Sequence, residues 1–164
     1  IFETNLFLLK ENPTLIEYAA FFGSVQIFKY LYKNGVKLTP SLWIYAIHSL
    51  NPEIIHYFED IQFKTTEGLY KNCFKESIKC HHNEIGNYIF NNYLNAEIYS
   101  NFTLQSLKYY NFCYIECSSI QKNIFVYLVK YDYIYIVDVL LKDKDIDINQ
   151  KEIYHQNNII VFLI

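Results

Sequence analysis

Thr14-Leu15-Ile16-Glu17-Tyr18-Ala19-Ala20-Phe21-Phe22-Gly23 runs directly into Ser24-Val25-Gln26-Ile27-Phe28-Lys29-Tyr30-Leu31, and this junction sets the architecture expected of the whole chain. Thr14 followed three residues later by Glu17 is a capping box, in which hydroxyl and carboxylate each satisfy a backbone N–H that the start of a helix leaves unpaired. Ile16, Ala19 and Ala20 then lie on one helical face, and Ile27, Phe28 and Leu31 repeat the i, i+1, i+4 spacing of a helix packed on one side. Gly23 stands at the joint, and the small Ala19 and Ala20 allow the two helices to approach closely. The stretch reads as an antiparallel pair of short helices.

Outward from this pair the pattern recurs. Apolar residues that open a second helix appear at Ile27, Ile54, Ile85, Ile115 and Ile136, separated by 27, 31, 30 and 21 residues. Eight positions before each lies a small or apolar residue: Ala19, Ala46, Ser77, Leu107 and Leu128. A period near 30 marks stacked helical hairpins, none of which can bury its apolar face alone. The sequence therefore predicts an all-α chain of about five helix-turn-helix units with the anchors facing the core. The units fall at approximately 14–40, 41–66, 67–95, 96–120 and 121–150. In the second, Asn51 caps a helix whose first turn holds Pro52. The fourth turns at Asn111 and has a weak second helix.

Both ends are expected to be uncapped. Residues 1–12 read as the remnant of a preceding unit and 151–164 as a degenerate or truncated segment. The apolar run Ile159-Ile160-Val161-Phe162-Leu163 is expected to pack on the fifth unit or to self-associate through the open end. A first residue Ile1 and the lack of any methionine lead to the expectation of a fragment.

Composition narrows the function classes. The 164 residues are 52% hydrophobic, enough for one domain with its own core. A net charge of -3 with scattered lysines lacks the basic footprint of a nucleic-acid binder. No apolar run reaches the roughly 18–20 residues of a membrane span. Cys73, Cys80, Cys113 and Cys117 form no CxxC pair and no secreted disulfide framework, which favours an intracellular, cytoplasmic setting. Asn101-Phe102-Thr103 matches a glycosylation acceptor by chance in such a setting. Aromatic residues make up 19% of the chain, and most of them, Trp43 included, are expected inside the stack. Exposed tyrosines would supply binding contacts.

Catalytic chemistry finds no foothold. Gly23, Gly35, Gly68 and Gly86 are isolated, so no phosphate loop exists, and no nucleophile sits in a recognised elbow. Cys73, Cys80, His81 and His82 cluster in sequence but without zinc-ligand spacing. The expectation is an interior Cys73 and a helix-to-helix turn at His81-His82, with no catalytic, cofactor or metal residue anywhere.

Ile136-Val137 and Leu140-Leu141, followed by Asp145-Ile146-Asp147-Ile148-Asn149, resemble the end of an ankyrin repeat, where the chain leaves its second helix for an extended finger. Thr14 to Gly23 resembles the opening of one, with Glu17 in place of the family's usual histidine and Leu15 in place of its proline. Adding Asn12-Pro13-Thr14 to Tyr30 and Thr39-Pro40-Ser41 to His56, the chain from about residue 5 to 150 closely resembles a divergent ankyrin-like family of unknown function, expanded in parasitic protists.

That resemblance implies an ankyrin-type solenoid with short finger loops. It would act without a cofactor as a non-catalytic protein–protein interaction scaffold, displaying a concave surface to an unidentified protein partner. It places the contact residues just before each intra-unit turn: Phe21 and Phe22, His48 and Ser49, Lys79 and Cys80, Tyr109 and Tyr110, Lys130 and Tyr131. Lys37, Thr39, Lys64 and Asp145 are the finger candidates. A HEAT-type solenoid, which needs longer helices, ranks second. The alternative functions are a structural spacer within a longer repeat array, or an adaptor segment of a larger protein with an enzyme domain outside this chain.

Overall fold

The computed structural model describes residues 12–95, 102–115 and 124–142, which form helices joined by tight turns with no strand among them. Helices α1 (Leu15–Phe21) and α2 (Val25–Lys33) are the first pair, and α3 (Leu42–His48) and α4 (Pro52–Asp60) the second. The third pair is α5 (Glu67–Cys80) and α6 (Asn83–Tyr93). In the fourth, α7 (Thr103–Lys108) leads into a 3-10 turn, Phe112–Tyr114, and the rest of the expected weak second helix, beyond Ile115, lies outside the described residues. Helices α8 (Phe125–Lys130) and α9 (Ile134–Leu141) are the fifth. The expected remnant before Asn12, the fifth unit's finger and the C-terminal segment lie outside the described residues.

The helix ends follow the sequence signals. Glu17 accepts from both the backbone N–H and the hydroxyl of Thr14 at 2.8 Å. Asn51 accepts from the Glu53 N–H at 3.1 Å, with Pro52 placed where a missing N–H costs nothing.

One turn geometry recurs within every pair. Gly23, Leu50, His81, Tyr110 and Asp132 hold left-handed φ values of 66°, 53°, 59°, 55° and 58°. Behind four of them the next N–H reaches the carbonyl five residues back: Ser24 to Ala19 at 2.8 Å, and His82 to Ser77, Asn111 to Ser106 and Tyr133 to Leu128 at 2.9 Å. This closure satisfies carbonyls that a helix C-terminus leaves open. In the second pair the Ser49 hydroxyl substitutes, donating to the Ala46 carbonyl at 2.8 Å and accepting from the Asn51 N–H at 3.1 Å. Glycine adopts this conformation without strain, whereas the other four are held there by the bonds around them.

The turn at Tyr110 corrects the fourth unit's register by one residue. Ser106, not Leu107, occupies the place of Ala19, and the buried Tyr114, not the half-buried Ile115, is the anchor. Asn111 is the residue after the turn, and that position has its own function. From it, Asn51 Nδ2 donates to the Gly23 carbonyl at 3.1 Å, His82 Nδ1 to Ile47 at 2.7 Å, Asn111 Nδ2 to Ile78 at 2.9 Å and the Tyr133 hydroxyl to Leu107 at 2.6 Å. Each of the second to fifth units thus hangs a rung on the backbone of the one before it.

Packing repeats as well. The first helices α1, α3, α5, α7 and α8 contact one another in sequence order, and each contacts its own second element. Between them lies a core of Phe28, Trp43, Ile54, Phe58, Phe74 and their neighbours, continued by a smaller cluster of Leu107, Ile124, Leu128 and Tyr133. Trp43 sits at its centre, 5.0 Å from the Phe58 ring and 5.1 Å from that of Tyr70. Gly86 permits the tightest approach, since a Cβ there would fall 2.5 Å from Ser77 Oγ and 2.6 Å from the Tyr114 hydroxyl.

Ile27 departs from expectation. Ile54 is fully buried and Ile85 nearly so, but Ile27 is 53% exposed. Ile54 shares a helix face with Tyr57 and Phe58, whose rings meet Phe28 of the preceding unit at 6.0 and 5.5 Å. The anchor position therefore looks back along the stack. Ile27 belongs to the first described unit, so no described pair lies behind it, whereas Phe28, at the position of the buried Ile55, keeps its place in the core.

Acidic residues fasten neighbouring units. Glu17 of the first accepts from Ser41 of the second at 2.6 Å and from Thr39, at the end of its own unit, at 3.2 Å, and Glu59 of the second accepts from the hydroxyls of Tyr88 and Tyr93 in the third. Burial by itself raises both pKa values, and these hydrogen bonds, with those of Thr14 and His56, outweigh it and hold them below the ordinary carboxylate value.

Candidate functional site

The last turn of each first helix carries the residues expected to make contacts. Phe21 and Phe22 precede Gly23, His48 and Ser49 precede Leu50, Lys79 and Cys80 precede His81, and Lys130 and Tyr131 precede Asp132. In the fourth unit the corrected register makes Lys108 and Tyr109 the equivalents, with Tyr110 as the turn residue itself. Phe22 is 63% exposed, while Phe21 is buried beneath it.

Successive units bring these side chains together. The Phe21 ring stacks on His48 at 5.1 Å, and His48 Nε2 lies 3.0 Å from Glu76 Oε1. Cys80 Sγ lies 3.4 Å from His48 Nδ1. Further along, His81 Nε2 donates to the Tyr109 carbonyl at 2.9 Å and the Tyr110 hydroxyl to the Tyr131 carbonyl at 3.1 Å. Lys108 and Lys130 each lie over the tyrosine that follows them, at 5.1 and 5.7 Å from the ring centre.

The fingers divide. Lys37 and Lys64 are exposed on the loops after α2 and α4, whereas the Thr39 hydroxyl bonds to Glu17 and Ser41 and is part of the inter-unit fastening. Asp145 lies outside the described residues.

The run Cys73, Cys80, His81, His82 is dispersed by the fold. Cys73 is fully buried and burial pushes its thiol pKa far up, which leaves it an inert core residue. His81 and His82 each give a ring N–H to a backbone carbonyl. Burial holds the His82 pKa below the ordinary imidazole value, against the opposing pull of its bond to Ile47. Cys80 joins a different set: His48, Glu76 and Cys80 offer an imidazole nitrogen, a carboxylate oxygen and a thiol sulfur, all within 4.8 Å of one another. Lys79 Nζ is 2.9 Å from the same Glu76 oxygen that His48 approaches. Burial raises the Glu76 pKa, and contacts with His48 and Lys79 reverse that and hold it below the ordinary value. Glu76 and Cys80, four residues apart, share a face of α5 by helical spacing alone. His48 comes from α3, so its arrival depends on how α3 packs on α5.

A cleft of about 500 Å³ opens between α4 and α6, lined by Leu50, Ile55, His56, His81, Ile85 and Tyr88 among others. None of the expected contact residues takes part in it. Among the described residues no helix is long and apolar enough to cross a membrane. Comparison with family models, with curated proteins and with solved structures returns no match to this chain.

Proposed function

We propose that the chain is a non-catalytic interaction scaffold of ankyrin type, whose partner surface is the row of pre-turn residues along the first helices. The observation that carries this reading is the continuity of that row. Phe21, His48, Glu76 and Cys80 adjoin across three units, and His81, Tyr109, Tyr110 and Tyr131 across the next boundaries. Its support also comes from an asymmetry in packing, since successive first helices lie against one another and successive second helices do not to a comparable extent. A row of hairpins closer on one side bends around that side, where repeat scaffolds display their binding residues. Exposed Phe22 and Tyr110 supply aromatic anchors, and Lys108 and Lys130 a positive rim.

Affinity capture with the chain tests the proposal. Phe22→Glu combined with Lys108→Glu and Lys130→Glu is expected to lose the bound protein while helical content stays unchanged. Tyr30→Glu with His56→Glu, on second helices, is expected to keep it. Equal capture by both variants rules the surface out.

A spacer role has one observation in its favour. At one described end Ile27 and Tyr30 face solvent, and at the other Tyr135, 86% exposed, and Val139 do the same. Apolar ends of this kind suit a segment flanked by further units. A spacer recovers no specific partner by itself, which separates the two readings in the same experiment.

A further inference from the structure

We propose that His48, Glu76 and Cys80 form a binding site for a zinc-class divalent cation, set within the row of pre-turn residues. The two nitrogens of an imidazole point away from each other. Yet the thiol beside Nδ1 and the carboxylate beside Nε2 lie only 4.0 Å apart, so the two cannot both sit on their nitrogens' own axes and instead gather on one side of the ring. As a proton relay this is poorly aligned. As three donors around one point it is compact. Half a turn of the His48 ring about its Cβ–Cγ bond exchanges Nε2 with Cε1, the atom between the two nitrogens, and keeps the ring plane that stacks on Phe21.

The separations suit the cation. Zinc bonds of about 2.3 Å to sulfur and about 2.0–2.2 Å to nitrogen and oxygen place tetrahedral ligand atoms about 3.3–3.6 Å from one another. With one ligand atom taken from each residue, the three donors lie within 4.8 Å of one another, and the sulfur-to-oxygen separation is 4.0 Å, so small side-chain adjustments bring them to that range. One soft, one borderline and one hard donor select zinc and its neighbours over magnesium or calcium, which take oxygen ligands. The His48 ring is nearly buried while Glu76 and Cys80 are partly open to solvent, the side from which the ion is reached and a water completes its coordination. The Lys79 ammonium on Glu76 already answers the site's demand for positive charge, and the metal competes with it.

Cobalt(II), titrated into the full chain under reducing conditions, reads the site out directly. One equivalent is expected to give thiolate-to-cobalt absorption in the near ultraviolet with visible bands of tetrahedral intensity. Zinc should displace it and raise the melting temperature. Cys80→Ser removes the charge-transfer band, whereas Cys113→Ser with Cys117→Ser retains it. Lys79→Gln tightens cobalt binding about two- to five-fold, the size of an exposed charge interaction, an effect that a purely structural cluster would not show. Should Cys80→Ser lose helicity, Glu76→Gln decides, with cobalt affinity expected to fall at least about ten-fold, as for loss of a metal-holding side chain. Absence of the band in the unmodified chain, its persistence in Cys80→Ser, or its loss with Cys113 and Cys117 overturns the site. None of these results bears on partner capture, so this inference and the scaffold reading fail separately.

Discussion

Asn111→Ala is the sharpest probe of what holds the units in line. Asn111 is 1% exposed and its side chain makes three hydrogen bonds: Nδ2 to the Ile78 carbonyl at 2.9 Å, Nδ2 to Asn83 Oδ1 at 2.7 Å, and Oδ1 from the Cys113 N–H at 3.3 Å. Each such bond contributes about 0.5–1.5 kcal/mol net, and the buried partners are stranded when the side chain goes. The Ile78 carbonyl keeps a second bond from His81, which limits that penalty. The expected loss is about 2–4 kcal/mol, of which the cap on the following turn accounts for about 1. Urea unfolding measures it, followed by helical circular dichroism and by the fluorescence of Trp43, which reports the second and third units. Asn111→Asp is the companion variant. It keeps the acceptor for Cys113 but turns an anion toward the Ile78 and Asn83 oxygens, so at neutral pH its loss should match or exceed that of alanine. A stability within about 0.5 kcal/mol of the parent for either variant, the spread of ordinary surface substitutions, refutes the rung.

Gly86→Ala forces a Cβ against Ser77 Oγ and the Tyr114 hydroxyl, both anchored by their own hydrogen bonds. A net loss of about 1–2 kcal/mol is expected after alanine's helix preference is credited, and Ser77→Ala in the same chain should restore part of it in a thermal melt. Phe28→Ala is expected to cost about 3–5 kcal/mol and Ile27→Lys less than about 0.5, and equal costs would contradict the placement of the two side chains. Acid should weaken the fold in two stages. His82 is held below the ordinary imidazole value of 6.5, so the unfolded chain takes its proton first and stability is lost as pH falls below that value. Glu17, Glu59 and Glu76 are held below 4.5, so their contribution is present above it and disappears as pH falls further. Melting temperatures across that range should fall in both steps, and His82→Asn, which keeps a donor, should flatten the upper one.

Helices, their pairing and most of their boundaries were legible in the amino-acid order, because they follow from local rules. The Thr14 and Glu17 capping box, the Asn51-Pro52 start and the alternation of Ala19, Ala46 and Ser77 with Ile54 and Ile85 concern residues a few positions apart. Gly23 and the His81-His82 pair mark their turns in the sequence. Leu50, Tyr110 and Asp132 adopt the same left-handed backbone against their own preference, so their identities give no signal, and the turn of the fourth unit falls one residue earlier than its sequence suggests.

What the linear order determined alone is the helical hairpin and its repetition, since caps, helix period and small-residue spacing act within a single turn or two of backbone. Tertiary structure decided the rest. Ile27 faces water because burial depends on which unit lies behind it. Asn51, His82, Asn111 and Tyr133 share one task although their side chains differ, because the carbonyl they reach sits in the neighbouring hairpin. Cys80 meets His48 across 32 residues of chain for the same reason. Distances between units are fixed by how two surfaces fit, and no local spacing encodes that fit.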